Sequence, residues 1–299
     1  MSSLNKIIRW ALRLWIGAAL TLGIFVLGFF FWVARASDCC TLSEPQPAVQ
    51  KTFQVSGAPE LEVRNVSGSI HVIGDGKSEI RLTAGETVRG NSSDDIERAK
   101  REVRVNIIQK GNRIVACIQQ PSFLGFSSGT GDCENAHIQI GDSPYRVRFD
   151  FEIHVPTATK VNLNTVNEGD IRVEDVSGGF EVRNVNGRVD LEAVSGAGEA
   201  ATVNGEVKAM FAANPVADCG FSTVNGSVHL YFRPDLAARL RYATVNGDVY
   251  TDFPVITEGK DKSSPIVFRS GRVGNGQIGS GGPRIQINTV NGGIFVHRS

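Results

Sequence analysis

The chain has 299 residues, with 31 Lys and Arg against 31 Asp and Glu. It therefore lacks the basic excess that a phosphate backbone needs, which excludes a nucleic-acid partner. Glycine is high at 33 residues and Met is scarce at 2, a mixture that points to many short strands joined by tight turns.

In chain order, Lys6, Arg9 and Arg13 lead into Leu14–Ala34, an uncharged stretch bracketed by Trp10, Trp15 and Trp32, the three tryptophans of the sequence. As a helix rising ~1.5 Å per residue it would be ~31 Å long, the thickness of a hydrocarbon core. Tryptophans mark the two interfaces, and the basic residues keep segment 1–13 cytoplasmic. Residues 14–34 are thus expected to be a transmembrane helix or uncleaved signal anchor in a bacterial cell membrane, with everything beyond Arg35 periplasmic or extracellular. The alternative is secretion after cleavage near Ala36, because Ala34-Arg35-Ala36 fits the small-x-small pattern.

The cysteines are Cys39, Cys40, Cys117, Cys133 and Cys219, with no C-x-x-C and no Cys/His pairing; neither a metal nor a cofactor is expected. In an exported chain disulfides persist. Cys117 and Cys133, which bracket a Gly/Ser-rich loop, form the candidate pair. Cys39 or Cys40, at the membrane exit, could link a homodimer.

Residues 35–51 are polar, with two prolines, and form a linker. From 52 to 160 apolar residues alternate with polar ones at Leu61/Val63, Ile70/Val72 and Ile80/Leu82, then at Val103–Ile108, Arg113–Ile118 and Val147–Val155, the period-2 signature of strands. One helix interrupts them at 94–101, capped by Ser92 or Ser93, with acidic residues in its first turn. Gly74-Asp75-Gly76-Lys77-Ser78 lacks the first glycine of a phosphate-binding loop, where His71 stands, and is a turn.

From 161 to 299 the chain becomes a repeat: GDIRVEDVS, GGFEVRNVN, GRVDLEAVS, then GAGEAATVN. Asn marks the end of a unit at Asn167, Asn186, Asn204, Asn225, Asn246 and Asn291, and Ser marks the intervening ends at Ser177 and Ser195. Two distinguishable edges recurring every 18–22 residues predict a coil of strand, turn, strand, turn, rather than the antiparallel meander that Asn-Gly also favours. The 45-residue interval from Asn246 to Asn291 then counts as two turns with one degenerate marker. The Asn residues are expected to form an edge ladder. Val166, Val185, Val203, Val224 and Val245 are expected to be buried, and Thr165, Thr202, Thr223, Thr244 and Thr289 to form an outward column able to meet a glycan or ice. Gly after almost every marker is attributed to a turn within two residues, often at positive φ.

This layout, with the strand pair LEVRNVSGSIHV, the helix DDIERAKREV and the half punctuated by TVNG and VSG, resembles the toast-rack family over residues 52–299. Its members are bacterial envelope proteins described as adhesin-like, with β-strand-repeat domains of unknown function. The resemblance implies an all-β, right-handed β-solenoid at the cell envelope, a link to envelope stress, and no catalytic residues. The stretch SGRVGNGQIGSGGP at 270–283 departs from a clean repeat.

The histidines, His71, His137, His154, His229 and His297, show no metal spacing, and no G-x-S-x-G elbow occurs. Asp170, Glu174, Glu181, Asp190, Glu192 and Glu206 alternate with Arg and Lys at outward positions. The expectation is a non-catalytic binding, adhesin-like or scaffolding module with an envelope protein or glycan as partner. A carbohydrate-active β-helix enzyme using those carboxylates is the alternative.

Overall fold

The structure, a computed structural model, describes residues 41–42, 46–119, 133, 143–256 and 272–299. The expected membrane segment 14–34, Cys39, Cys40 and His137 lie outside them. Among the described residues, no helix is long and apolar enough to cross a membrane. The described residues are mostly β, with two eleven-stranded sheets and one helix among them.

Strands on either side of an Asn marker lie in different sheets, so the Asn-Gly corner is not a hairpin. The strand before the corner enters sheet 1 and the strand after it enters sheet 2. Lys160–Asn164 and Ile171–Glu174 form one such rung. Phe180–Arg183 with Val189–Val194, Gly198–Ala201 with Val207–Phe211, and Cys219–Ser222 with Val228–Phe232 follow. Every rung pairs with the next in parallel in both sheets, as a coil whose successive turns stack must do.

At both ends spatial order departs from chain order. The rung of Glu60–Arg64 and Ile70–Asp75 lies between the 160–174 rung and a rung built by Arg113–Gln119 and Tyr145–Pro156. At the other end, Arg284–Asn291 and Ile294–Arg298 sit between the 219–232 rung and the rung of Ala238–Asn246 and Val249–Thr251. The 45-residue interval is therefore not two turns with a weak marker. Residues 252–283 contain Arg272–Ile278, which pairs antiparallel outside strand 238–246, and Val255–Ile256, which pairs antiparallel with Arg272–Ile278. The chain then crosses the start of that strand at 279–283 and returns on its other flank.

The glycines of 270–283 serve this crossing. A Cβ on Gly274 would fall 2.3 Å from the Tyr242 ring, one on Gly276 2.3 Å from Val255, and one on Gly282 2.5 Å from the Ala237 carbonyl. Only hydrogen fits there.

The core lies between the sheets as columns that run through the stack. Phe151, Ile70, Ile171, Val189, Val207, Val228, Ile294 and Val249 form one column of sheet 2. In the 198–211 rung three inward residues are small, Gly198, Ala200 and Ala209, and the rung's own Phe211 with rings of the neighbouring rungs fills the space. Phe211 stacks on Phe232 at 4.9 Å between centroids and meets Phe221 edge-on at 6.2 Å. Exchanging large for small between neighbouring rungs keeps the interior close-packed.

The first end of the stack is closed by antiparallel strands. Glu79–Gly90 pairs with Tyr145–Pro156, and Gln46–Gln54 pairs with Glu79–Gly90. Helix α1, Ser93–Glu102, covers this end; the Ser92 hydroxyl accepts the Asp95 N–H at 3.2 Å, and Ile96 and Ala99 are buried against Val88.

Candidate functional site

The Asn corner is built differently from the expectation. Inward positions in sheet 1 run Val161, Leu163, then Thr165, so Thr continues the buried phase of its strand and the following Val turns outward. Thr165, Thr202, Thr223, Thr244 and Thr289 are all buried, whereas Val203, Val224 and Val245 are exposed and Val166 and Val185 half-buried. There is no outward Thr column, which removes the hydroxyl surface proposed for glycan or ice. The buried hydroxyls instead donate to glycine carbonyls of the neighbouring rung: Thr202 to Gly187 at 2.8 Å, Thr223 to Gly205 at 2.8 Å and Thr289 to Gly226 at 3.0 Å. Asn184 and Asn65 occupy the same slot in their rungs and reach the carbonyls of Gly169 and Gly68.

Removing that hydroxyl leaves a buried acceptor unpaired. Thr223→Val is expected to lower stability by about 1–3 kcal/mol. Val224→Asp, on the exposed neighbour, is expected to stay within about 0.5 kcal/mol of the parent. Chemical denaturation of the two variants checks the phase of the corner.

The marker amides form a ladder along the edge. Asn186 donates to Asn167 at 3.4 Å; Asn204 to Asn186, Asn225 to Asn204, Asn291 to Asn225 and Asn246 to Asn291 are each 2.8 Å. The order follows space rather than sequence, with Asn291 between Asn225 and Asn246. Ser177 and Ser195 lie on the other edge, where their N–H groups donate to the Thr157 and Val176 carbonyls.

The outer face of sheet 2 divides into two halves. Over the first rungs it carries an ion network. Arg172 bridges Glu174 at 2.6 Å and Glu192 at 2.8 Å, His71 contacts Glu174 at 2.8 Å, and Lys208 reaches Glu192 at 3.5 Å and Asp190 at 3.7 Å. Glu174, Asp190 and Glu192 are three of the six carboxylates of the enzyme alternative, each beside basic neighbours, whereas Glu181 lies on sheet 1 paired with Arg183. Asp190 differs: its Oδ1 is buried without a hydrogen bond, and burial pushes its pKa up against the pull of Lys208. A raised folded-state pKa means that the fold favours the protonated acid. Its contribution is present below the ordinary carboxylate range and lost as pH rises through the folded value. Asp190→Asn is thus expected to stabilise the protein at about pH 7, with the gain vanishing near pH ~3, as denaturation at the two pH values would show.

Over the last rungs the same face is aromatic. His229 stacks on Phe295 at 4.4 Å and Phe295 on Tyr250 at 5.1 Å, with planes within 8° and 6°. Beside them Tyr231 stacks on His297 at 4.7 Å, and Met210 lies opposite Tyr231 in the adjoining strand. The fold forces this: register places His229, Phe295 and Tyr250 opposite one another on adjacent strands. Burial holds the His229 pKa below its ordinary value. His297 contacts Asp252 at 3.3 Å, and the Arg298 guanidinium lies 5.1 Å over the Phe253 ring. Aligning the TVNG markers shows the signal in the sequence, since His229, Phe295 and Tyr250 each stand four residues after a marker Asn.

On the outer face of sheet 1, Cys117 and Cys133 form a disulfide with Cα atoms 5.6 Å apart. Cys133 lies over this face, where its carbonyl accepts Arg64 Nη1 at 2.7 Å. Glu62 is buried there, paired with Arg64 and Arg113. Cys219 is a buried free thiol whose pKa burial pushes up.

No group of three or more His, Cys, Asp or Glu side chains among the described residues could hold a metal ion. A void of about 10 Å³ between the sheets, lined by Leu240, Tyr242, Val249, Thr251, Val255, Ile287, Ile294 and Val296, has room for about one water. It is not a substrate cleft.

Among curated proteins none matches the chain. Solved structures with a similar fold include a candidate cell adhesion protein from Clostridium sporogenes, at 12% identity and TM-score 0.41, covering 86% of this chain and 100% of that one. A candidate adhesin from Bacteroides fragilis is 14% identical, with TM-score 0.35 and coverage of 87% and 97%. A candidate lipid-binding protein from Parabacteroides distasonis is 11% identical, with TM-score 0.29 and coverage of 85% and 97%. The family model for Toastrack DUF4097 matches residues 58–297, and the chain belongs to that family.

Proposed function

We propose that this chain is a non-catalytic binding module of the bacterial cell envelope, anchored by residues 14–34, which docks a protein partner on the aromatic half of sheet 2. The observation that carries the reading is the stacked columns of His229, Phe295 and Tyr250 and of Tyr231 and His297. Sugars bind aromatic residues by lying on ring faces. Here both faces of Phe295 are covered by His229 and Tyr250, and the surface offers ring edges, a tyrosine hydroxyl and a methionine, the composition of protein-binding hot spots. The patch occupies the last rungs, whereas strand 46–54, which takes up the end of the expected linker 35–51, lies at the first end of the stack. Strand spacings of ~4.8 Å put about 43 Å between strand 46–54 and strand 249–251, so an anchor at 14–34 would leave the aromatic end away from the bilayer.

The test is a photo-reactive residue placed at Tyr250, or at Lys160 on sheet 1, in intact cells. A discrete, protease-sensitive adduct at 250 that is absent at 160 and lost in Phe295→Ser supports the reading. A protease-resistant adduct that stains for carbohydrate makes the ligand a glycan and overturns the protein assignment; no adduct overturns the site. The anchor is tested by intact mass, where a mature chain beginning at Ser37 would overturn it.

A further inference from the structure

We infer that the slot between the 219–232 and 238–251 rungs accepts the 284–298 rung of a second copy of this chain as well as its own, so that copies join by exchanging this rung. The first observation is order. At the opposite end, the inner rung 60–75 precedes both of its neighbours in the chain, and these add to its two sides without threading. The 284–298 rung follows both of its neighbours in the chain and pairs with each in both sheets. It enters a gap between two segments made earlier.

The second observation is that the walls of the slot are chemically alike. The corners at 223–226, 289–292 and 244–247 all read TVNG. Each Thr hydroxyl donates to a rung-neighbour glycine carbonyl, Thr289 to Gly226 and Thr244 to Gly292. The marker amides bond in the same way on both sides of Asn291. Inward residues are matched too: Ile285 and Ile287 stand opposite Cys219 and Phe221 on one side and Leu240 and Tyr242 on the other. Nothing in these contacts distinguishes a rung of the same molecule from that of another copy, which is the condition for segment exchange.

The third observation is that the rung joins the rest of the chain through the crossing at 279–283. Its bonds to strand 238–246 are Arg239 N–H to the Pro283 carbonyl and Arg239 Nε to the Gly282 carbonyl, both 2.9 Å, beside Gly281 N–H to the Ile278 carbonyl at 3.1 Å and Gln277 Nε2 to the Gly279 carbonyl at 3.2 Å. They are few beside the two ladders that the rung makes in the slot.

The experiment uses full-length chains with Cys39 and Cys40 replaced by Ser, carrying two different tags and co-expressed in the membrane. One chain bears Asn225→Cys and the other Asn291→Cys, positions that bridge directly in the stack. Exchange predicts a disulfide-linked dimer with both tags. The same two substitutions in one chain give the internal link and show that the variant folds. Asn225→Cys with Asn246→Cys on separate chains gives no link, because exchange of the 284–298 rung leaves these two positions in different stacks. An internal link without any mixed-tag dimer, or equal dimer from the 225/246 pair, overturns the inference.

Discussion

Gly226→Ala is expected to lower stability by about 3 kcal/mol or more, although the change adds one methyl group. A Cβ at 226 would stand 1.9 Å from the Gly205 carbonyl oxygen of the rung beside it. The carbonyl of Gly226 accepts the Thr289 hydroxyl, and its N–H donates to the Asn291 carbonyl at 2.9 Å, so the residue cannot retreat without breaking bonds on its other side. The corner glycines form a column with this geometry: a Cβ on Gly169, Gly187, Gly205, Gly247 or Gly292 would likewise fall 1.9–2.2 Å from a carbonyl oxygen or carbon of a neighbouring-rung glycine. Close approach of backbones, rather than positive φ, requires glycine at 226. Gly76→Ala is the control, because nothing lies within 4 Å of its Cβ position, and it is expected to stay within about 0.5 kcal/mol. Thermal and guanidinium unfolding of the two variants measure the difference.

Phe211→Ala is expected to lower stability by about 3–5 kcal/mol. Phe211 is 2% exposed and touches Phe180 of the rung on one side and Phe221 and Phe232 of the rung on the other. The small residues around it, Ala200, Ala209 and Gly198, cannot reach into the space its ring would leave. In a stack where each rung contacts mainly its neighbours, the loss should be local before it is global. Hydrogen exchange should quicken first in strands 198–201, 207–211 and 219–232, while strands 60–75 and 145–156 keep their protection. Uniform loss of protection through the stack would contradict nearest-neighbour cohesion.

Much of this architecture is legible in the sequence, and the failures are instructive. The nine-residue half-repeat, the Asn and Ser edges and the capped helix follow from local periodicity and capping chemistry, which the fold respects. The phase of the corner does not, because hydrophobicity alone assigns Val inward and Thr outward. A buried threonine is stable there because a glycine carbonyl of the adjacent rung accepts its hydroxyl, and that partner lies 15 to 97 residues away in the chain. Rung order was equally hidden. Asn225, Asn246 and Asn291 carry the same TVNG corner, so periodicity cannot say which stacks on which. The aromatic half of sheet 2 needs that order as well: His229 and Tyr250 meet the two faces of Phe295 only because strand 294–298 lies between theirs.

Disulfide trapping within single full-length chains tests the stacking order most directly. Asn225→Cys with Asn291→Cys, and Asn291→Cys with Asn246→Cys, are predicted to close internal bonds, because each pair is adjacent in the amide ladder. Asn225→Cys with Asn246→Cys is predicted to stay reduced, its two positions held apart by the intervening rung. Closure of the 225/246 pair, with the two pairs containing residue 291 remaining open, would show the rungs stacked in chain order and contradict the structure described.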